Sequence, residues 1–142
     1  MGASLAQKVG PIIGGVYVAI GIIGFVVTGF DNFLRNTPEE LLGFSVNPMH
    51  NLVHLTIGAF LIAMTTGFST PTAEGAVMGV GLFYVAAFVI GVSAPDNLTI
   101  LSMYGAGDLE NLNHIVNGVL LLTVGLISSG RTQSQMRRKG LT

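Results

Sequence analysis

Four long apolar segments separate short groups of charged residues along this chain of 142 residues. The intervals without Asp, Glu, Lys or Arg run from Lys8 to Asp31, Glu40 to Glu74, Glu74 to Asp96, and Glu110 to Arg131. Each interval can hold the roughly 20 apolar residues that a helix needs to cross a bilayer. The pattern predicts membrane-spanning helices near residues 11–30, 49–68, 73–94 and 111–130.

Composition supports the same conclusion. Half of the residues are hydrophobic and only 9% are charged, whereas soluble domains carry about 25% charged residues. We therefore predict an all-α polytopic membrane protein with four transmembrane helices, surrounded by the lipid bilayer. A cleaved signal peptide is the alternative for the first segment. It is disfavoured because Lys8 alone gives only a weakly charged amino-terminal region for a signal peptide, and no small-residue cleavage site follows the segment.

One short motif occurs at the start of both the second and the fourth segment. Asn51 and His54 are followed by Gly58, and Asn111 and His114 by Gly118. Both stretches have the form N-x-x-H-x-x-x-G, and they lie 60 residues apart. Each half of the chain thus consists of a helix, an acidic loop and a second helix that begins with the motif.

This duplication predicts the architecture. Because one repeat contains two spans, the second repeat enters the membrane in the same direction as the first, and an axis along the membrane normal relates the two. We predict a single membrane domain, 1–142, made of repeat 1 (about 11–68), repeat 2 (about 73–130) and a basic tail (131–142). His54 and His114 then lie at the same depth in a four-helix bundle.

The basic residues predict orientation. Four of them lie in the tail, Lys8 lies near the amino end, and only Arg35 lies elsewhere. Because cationic segments stay in the cytoplasm, both termini are predicted to be cytoplasmic. The basic tail is interpreted as a topology signal that contacts anionic lipid, and not as a nucleic-acid-binding patch. The acidic residues are then interpreted as solvated outer charge: Asp31, Glu39, Glu40, Asp96, Asp108 and Glu110.

Local signals predict the helix starts on the outer side. Thr37, Pro38 and Glu40 have the form of a capping box, which predicts a short helix ending at Gly43. Asn47 followed by proline is typical of an N-cap and first helical residue, and predicts the start of the second span. Asp108 is the candidate N-cap of the fourth span.

Small residues predict close helix packing. Pairs of small residues four positions apart allow helix backbones to approach closely in membranes. We expect such residues to pack within the bundle, and a contact with another protein is the alternative. The candidate packing residues are Gly58, Gly118, Gly75, Gly79, Ala87 and Gly91.

The motif histidines allow three interpretations. The favoured one is a hydrogen-bonded structural polar motif, formed by Asn51, His54, Asn111 and His114, in which each asparagine satisfies a ring nitrogen or an outer-loop carbonyl. The second is ligation: His54 and His114, with His50 as a further candidate, hold haem b, the magnesium of a chlorophyll-type pigment, or a transition metal together with an acidic residue. The third is a proton relay, which the expected absence of carboxylates within the spans disfavours.

No pattern typical of catalysis occurs in the sequence. Cysteine is absent, which excludes disulfides and thiolate metal sites. No G-x-S-x-G motif, phosphate-binding loop or paired helical carboxylates are present, and the glycine-rich stretch 10–15 is interpreted as membrane packing. We therefore predict no enzymatic activity, no catalytic residues and no nucleic-acid partner.

Several of these residues resemble those of a known family. They are Gly15, Tyr17, Gly21 and Gly24, the Leu41–Gly43 stretch, and the two N-x-x-H motifs with Gly58 and Gly118. Over residues 15–125 the chain resembles bacterial four-helix membrane proteins of unknown function, common in actinobacteria and also found in cyanobacteria. That family often has an aromatic and an apolar residue between the asparagine and the histidine of the second motif. This chain has Leu112 and Asn113 there, which predicts a more polar environment for His114.

The resemblance implies a bacterial inner membrane, or a thylakoid membrane in a cyanobacterium, and offers no reaction. Two functions are consistent with the sequence. The favoured one is an accessory, assembly or scaffold subunit that contacts other membrane subunits or a second copy of itself and holds no cofactor. The alternative is a His-ligated haem, pigment or metal protein in electron transfer or photosynthesis.

Overall fold

A computed structural model describes residues 2–93 and 99–141. Within these residues four helices are long and apolar enough to cross a membrane, which confirms the predicted all-α, four-helix membrane fold. They are α1 (Leu5–Thr28), α2 (Pro48–Gly67), α3 (Thr70–Ser93) and α4 (Leu109–Arg138). Ala94 and Asp96, predicted for the end of the third span and the loop after it, lie outside the described residues.

The helix boundaries follow from local chemistry. Asn47 is the N-cap of α2, with Pro48 as its first residue, and Asp108 is the N-cap of α4. Both caps are as predicted. Ser4 and Gln7 form a capping box at the start of α1, so this helix begins earlier than expected. Likewise α4 continues beyond residue 130, so that most of the basic tail is helical.

The predicted short helix after Thr37 is wrong. Residues Glu40–Leu41 (β1) and Phe44–Ser45 (β2) instead form a two-stranded antiparallel hairpin. Its two-residue turn places both Leu42 and Gly43 at positive φ, of 57° and 84°, as a type I′ hairpin turn requires. A helix cannot pass through two residues in this conformation, so the local capping signal is overridden.

The two ends of the bundle differ. At one end, the loop end, the Tyr104 hydroxyl donates to the Thr37 carbonyl oxygen at 2.8 Å, and the two long connections pack on each other. At the other, the terminal end, the Gln7 amide donates to the Phe68 carbonyl oxygen and the Ala6 amide donates to Ser128. Helices α1 and α3 therefore run in the same direction, from the terminal end to the loop end.

Helices pack mainly in sequential pairs, α1 with α2 and α3 with α4. Gly14 of α1 meets Gly58 of α2, and Gly81 of α3 meets Gly118 of α4. These two crossings use residues at matching positions of the two halves. An apolar layer at mid-bundle joins the pairs and includes Leu61, Val77 and Leu121, all completely buried.

A buried histidine cluster at the loop end

The two motif histidines point into the bundle, where each lies against a tyrosine of its own helix pair. His54 stacks on Tyr17 with ring centroids 5.8 Å apart and planes 9° apart, and His114 lies 5.6 Å from Tyr84. The tyrosines are themselves 5.5 Å apart at the centre of the bundle. The two halves thus place equivalent aromatic pairs on either side of a central axis.

His50 lies between the two halves, one turn nearer the loop end. Its ring centroid is 4.7 Å from that of His54 and 6.2 Å from that of His114. Donor atoms of His50, Glu110 and His114 all lie within 4.8 Å of one another. Each of the three residues is at most 3% exposed, so the group is a convergent, buried set of two imidazoles and one carboxylate. We call these three residues the ligand triad.

Several polar atoms in this region have no hydrogen-bond partner among the described residues. They include the Nδ1 atoms of His50, His54 and His114, and Oε2 of Glu110. Glu110 Oε2 lies 3.8 Å from His114 Nε2, which is too long for a hydrogen bond. Leaving a buried polar atom unpaired costs on the order of 1–3 kcal/mol. The unpaired atoms gathered here are groups that could coordinate an ion.

The asparagines of the two motifs do form hydrogen bonds, each to its own half of the bundle. Asn51 donates to the Thr28 hydroxyl at 2.9 Å, and Asn111 donates to the Gly105 carbonyl oxygen at 2.8 Å. Neither bonds a histidine nitrogen. Asn111 therefore bonds an outer-loop carbonyl, one of the two kinds of partner expected for the motif asparagines, whereas Asn51 bonds a hydroxyl at the end of α1. His54 and His114 have only ring contacts among the described residues.

The candidate packing residues fall into two groups. Gly58, Gly118 and Gly91 face inward, where a β-carbon would collide with a neighbouring helix or, at Gly91, with Asn111. In contrast, Gly75 and Gly79 are exposed on α3 and have open space beside them. Packing within the bundle, which the sequence favoured for all of them, is therefore wrong for these two. Ala87 is half-buried.

The prediction that carboxylates are absent from the spans is also wrong. Glu110 lies in the first turn of α4, and Glu74 lies in α3; they are only 2% and 4% exposed. Glu74 accepts hydrogen bonds from Ser128 at 2.9 Å and from Thr132 at 2.7 Å, which makes its burial tolerable. Glu110 is buried because the loops fold over the start of α4, and it is not the solvated outer charge that the sequence suggested.

The side chain of Asn47 also joins the loops at the loop end, above the cluster. The Asn47 amide lies 3.1 Å from each of the carbonyl oxygens of Arg35, Thr99 and Ile100, to which it donates. Val46, Ser102 and Met103 are all at most 2% exposed there. The cluster is thereby closed to the aqueous phase on this side.

The two central tyrosines differ in their hydrogen bonding. Tyr17 donates to Asn117 of α4 at 2.8 Å. Among the described residues, no group lies at the distance and angle needed for a hydrogen bond to the buried Tyr84 hydroxyl. The position on α2 equivalent to Asn117 is Ile57, which has no polar atom to offer.

Sequence reasoning missed Tyr17, Tyr84 and Glu110 as members of the site. A second repeat signal was available, because Gly14, Tyr17 and Gly24 match Gly81, Tyr84 and Gly91 with a constant offset of 67 residues. Combined with the offset of 60 in α2 and α4, this pairs each tyrosine with a motif histidine. The same offset of 60 also pairs His50 with Glu110.

The fold and this site define a four-helix integral membrane protein with a pseudo-twofold bundle around a buried histidine cluster. The chain belongs to the DUF4383 family, described as a domain of unknown function, whose model matches residues 7–127. In comparisons with curated proteins and with solved structures, nothing matches the chain.

Proposed function

We propose that this protein is a non-enzymatic membrane protein that binds one divalent transition-metal ion at the ligand triad. The observation that carries the proposal is the convergence of three buried donor groups from two helices. His50 comes from α2, and Glu110 and His114 come from α4. An ion held by all three would link the two helix pairs at the loop end.

The donor chemistry favours a borderline transition metal. Neutral imidazole nitrogen and carboxylate oxygen are the ligands of zinc and of neighbouring first-row ions, whereas calcium and magnesium prefer oxygen alone. In a tetrahedral site with bonds of about 2 Å, ligand atoms lie roughly 3.3 Å apart. The donor atoms here lie within 4.8 Å, so ligation requires only a modest convergence of the side chains.

The surroundings of the triad suit an ion better than a macrocycle. A flat ring would need space beside Gly58 or Gly118, one turn further into the bundle. Backbone and valine atoms fill both places: Gly14 and Val18 lie against Gly58, while Gly81 and Val85 lie against Gly118. Haem b and a chlorophyll-type pigment, the cofactors of the alternative interpretation, are therefore less well supported than a single ion.

The site supports a structural role for the ion more than a catalytic one. Three protein ligands leave one position of a tetrahedral ion open, and a catalytic role requires that substrate reach this position. All three ligands are buried, and the joined loops cover them. A proton relay is less well supported because the apolar layer of Leu61, Val77 and Leu121 separates the cluster from Glu74 at the terminal end.

Metal analysis of the purified protein tests this proposal. The protein is prepared in mild detergent, depleted with a chelator and titrated with Co²⁺, whose visible bands report nitrogen and oxygen ligation, and then with Zn²⁺ as competitor. We expect one ion per chain. Glu110→Gln and His114→Gln remove direct ligands, so each should weaken binding by more than the roughly tenfold to hundredfold that is typical of changing an outer-shell partner.

His54→Gln is the matched control, because this histidine is buried in the same cluster but lies outside the triad. Binding that survives in both triad variants, or Co²⁺ spectra without ligand-field bands in the wild type, would overturn the proposal. A stoichiometric haem or pigment band that the His114→Gln variant loses would favour the cofactor alternative.

A second candidate function, an accessory subunit of a larger membrane complex, is favoured by the exposed face of α3. Gly75 and Gly79 lie there with open space beside them, and such pairs permit close approach of another transmembrane helix. Gly79→Leu should then reduce co-purification of a partner subunit, or self-association, by several-fold without reducing insertion. A variant that still associates as the wild type does would exclude this face.

The proposed setting is a bacterial inner membrane, or a thylakoid membrane, with both termini in the cytoplasm. The cytoplasmic position of the termini is supported by the basic residues at the terminal end and the acidic residues near the loop end. A reporter fused after the last residue should be active in the cytoplasm, and one inserted near Asn36 should be active outside. The opposite pair of results would invert the topology.

A further inference from the structure

We propose that a cleft at the terminal end binds the phosphate group of an anionic lipid. This inference goes beyond metal binding and rests on a different part of the molecule. The cleft lies between α1, α3 and α4 and has a volume of about 360 Å³. Polar and cationic residues that line it include Ser4, Lys8, Thr70, Ser128, Arg131 and Gln135.

Two cations from different helices face this cleft. Lys8 comes from α1 and Arg131 from α4, and neither forms an ion pair with a carboxylate among the described residues. The nearest carboxylate on the adjoining helices is Glu74, which already accepts hydrogen bonds from Ser128 and Thr132. Both cations are therefore available to a ligand, and a guanidinium beside an ammonium is a typical arrangement for phosphate.

The backbone adds to the positive potential of the cleft. Helices α1 and α3 begin at Leu5 and Thr70, and both starting residues line the cleft. Each helix start carries a partial positive charge of roughly half an elementary charge. Glu74 is buried close to the start of α3 and offsets part of this charge, but Lys8, Arg131 and two helix starts leave a positive excess.

The position of the cleft favours a lipid over a free anion. It lies where the membrane-spanning helices end, at the depth of lipid headgroups. From Lys8 the exposed face of α1 continues with Ile12 and Val16, 68% and 52% exposed, and from Arg131 that of α4 continues with Ile127, 44% exposed. A phosphate bound between the cations would thus place its acyl chains along apolar helix faces.

Lipid binding to the whole protein tests this proposal. The protein is reconstituted in nanodiscs of phosphatidylcholine containing a minor fraction of phosphatidylglycerol, released, and analysed by native mass spectrometry. We expect one phosphatidylglycerol retained per chain. The Lys8→Gln/Arg131→Gln variant should lose this adduct, with affinity reduced by on the order of tenfold or more, because charge-assisted hydrogen bonds to the phosphate are removed.

The matched control is Arg137→Gln/Arg138→Gln. It removes the same charge from the same end of the protein, but neither arginine lines the cleft. Retention of the adduct in this control and its loss in the cleft variant would support the proposal. Equal losses in both variants would show a diffuse electrostatic attraction and overturn it.

Two further measurements keep the outcome decisive. Co²⁺ binding and helical content of the Lys8→Gln/Arg131→Gln variant, measured in phosphatidylcholine alone, should match those of the wild type. If either value falls, the Lys8→Arg/Arg131→Lys variant is tested in its place. This variant keeps both charges and should retain the lipid. Inorganic phosphate is added as a competitor. If phosphate displaces the lipid at millimolar concentration, or raises the melting temperature of the protein as much as phosphatidylglycerol does, the ligand is a free anion and the lipid proposal is wrong.

Discussion

His50 and Glu110 occupy equivalent positions in the two repeats, four residues before the motif histidine, and their side chains meet at the interface between the repeats. Their donor atoms lie within 4.8 Å of each other and of His114. Two identical residues at these positions would place like groups together across the axis. The difference between the halves instead brings an imidazole and a carboxylate together, so the asymmetry of the repeats creates the ligand triad.

This relationship predicts the outcome of exchanging the two residues. His50→Glu alone places two carboxylates together in a buried site and should destabilise the protein by about 3 kcal/mol or more, because unpaired buried charge is costly. The double variant His50→Glu/Glu110→His restores one imidazole and one carboxylate, and it should recover most of that loss. Unfolding in mild detergent titrated with dodecyl sulfate measures the double variant and both single variants, His50→Glu and Glu110→His. A double variant whose loss equals the sum of the single losses would show that the residues do not interact.

The two tyrosines should respond differently to loss of their hydroxyls. Tyr17→Phe removes the bond to Asn117 and should cost about 1 kcal/mol. Tyr84→Phe removes a buried hydroxyl that forms no hydrogen bond with the described residues. This change should leave the free energy of unfolding the same or raise it slightly. The same unfolding titration compares the two variants. A larger loss in Tyr84→Phe than in Tyr17→Phe would contradict the hydrogen bonding described here.

Glycines of the helix crossings should tolerate a methyl group less well than those on the outer face. In Gly58→Ala the added carbon would lie 2.6 Å from the Gly14 carbonyl oxygen, so the helices must separate, at a cost of roughly 1–3 kcal/mol. Gly75→Ala meets nothing within 4 Å and should be neutral or stabilising, because alanine favours helix over glycine. Thermal melting of the two variants in detergent checks this, and equal melting temperatures would argue against the crossing.

Asn47 should have two separable roles. Asn47→Asp keeps the side-chain oxygen that caps α2 but removes the amide that donates to the two loops, whereas Asn47→Ala loses both functions. Loss of the cap costs on the order of 0.5–2 kcal/mol. We expect the hairpin segment to become sensitive to protease in both variants, and global stability to fall further in Asn47→Ala. Unchanged protease resistance in Asn47→Asp would show that the loops are held by other contacts.

The membrane architecture could be predicted from the sequence because it depends on local properties. A helix in lipid must satisfy all its backbone hydrogen bonds internally, so a charge-free apolar run of about 20 residues predicts a span. The caps at Asn47 and Asp108 were equally predictable, since a cap involves only neighbours in the sequence. The offset of 60 residues between the motifs indicated the repeat, and the family model matches 7–127.

Tertiary structure alone decided which polar residues share the site and which glycines pack. Glu110 resembles an outer-loop charge in sequence, but the folded loops bury it beside His50 and His114. Gly58 and Gly75 have the same local chemistry, yet only Gly58 faces another helix. The hairpin at Leu42 and Gly43 likewise replaced a helix that capping residues favoured. Such outcomes depend on how distant helices and loops meet, and the residues of one segment do not specify the neighbours that its side chains will contact.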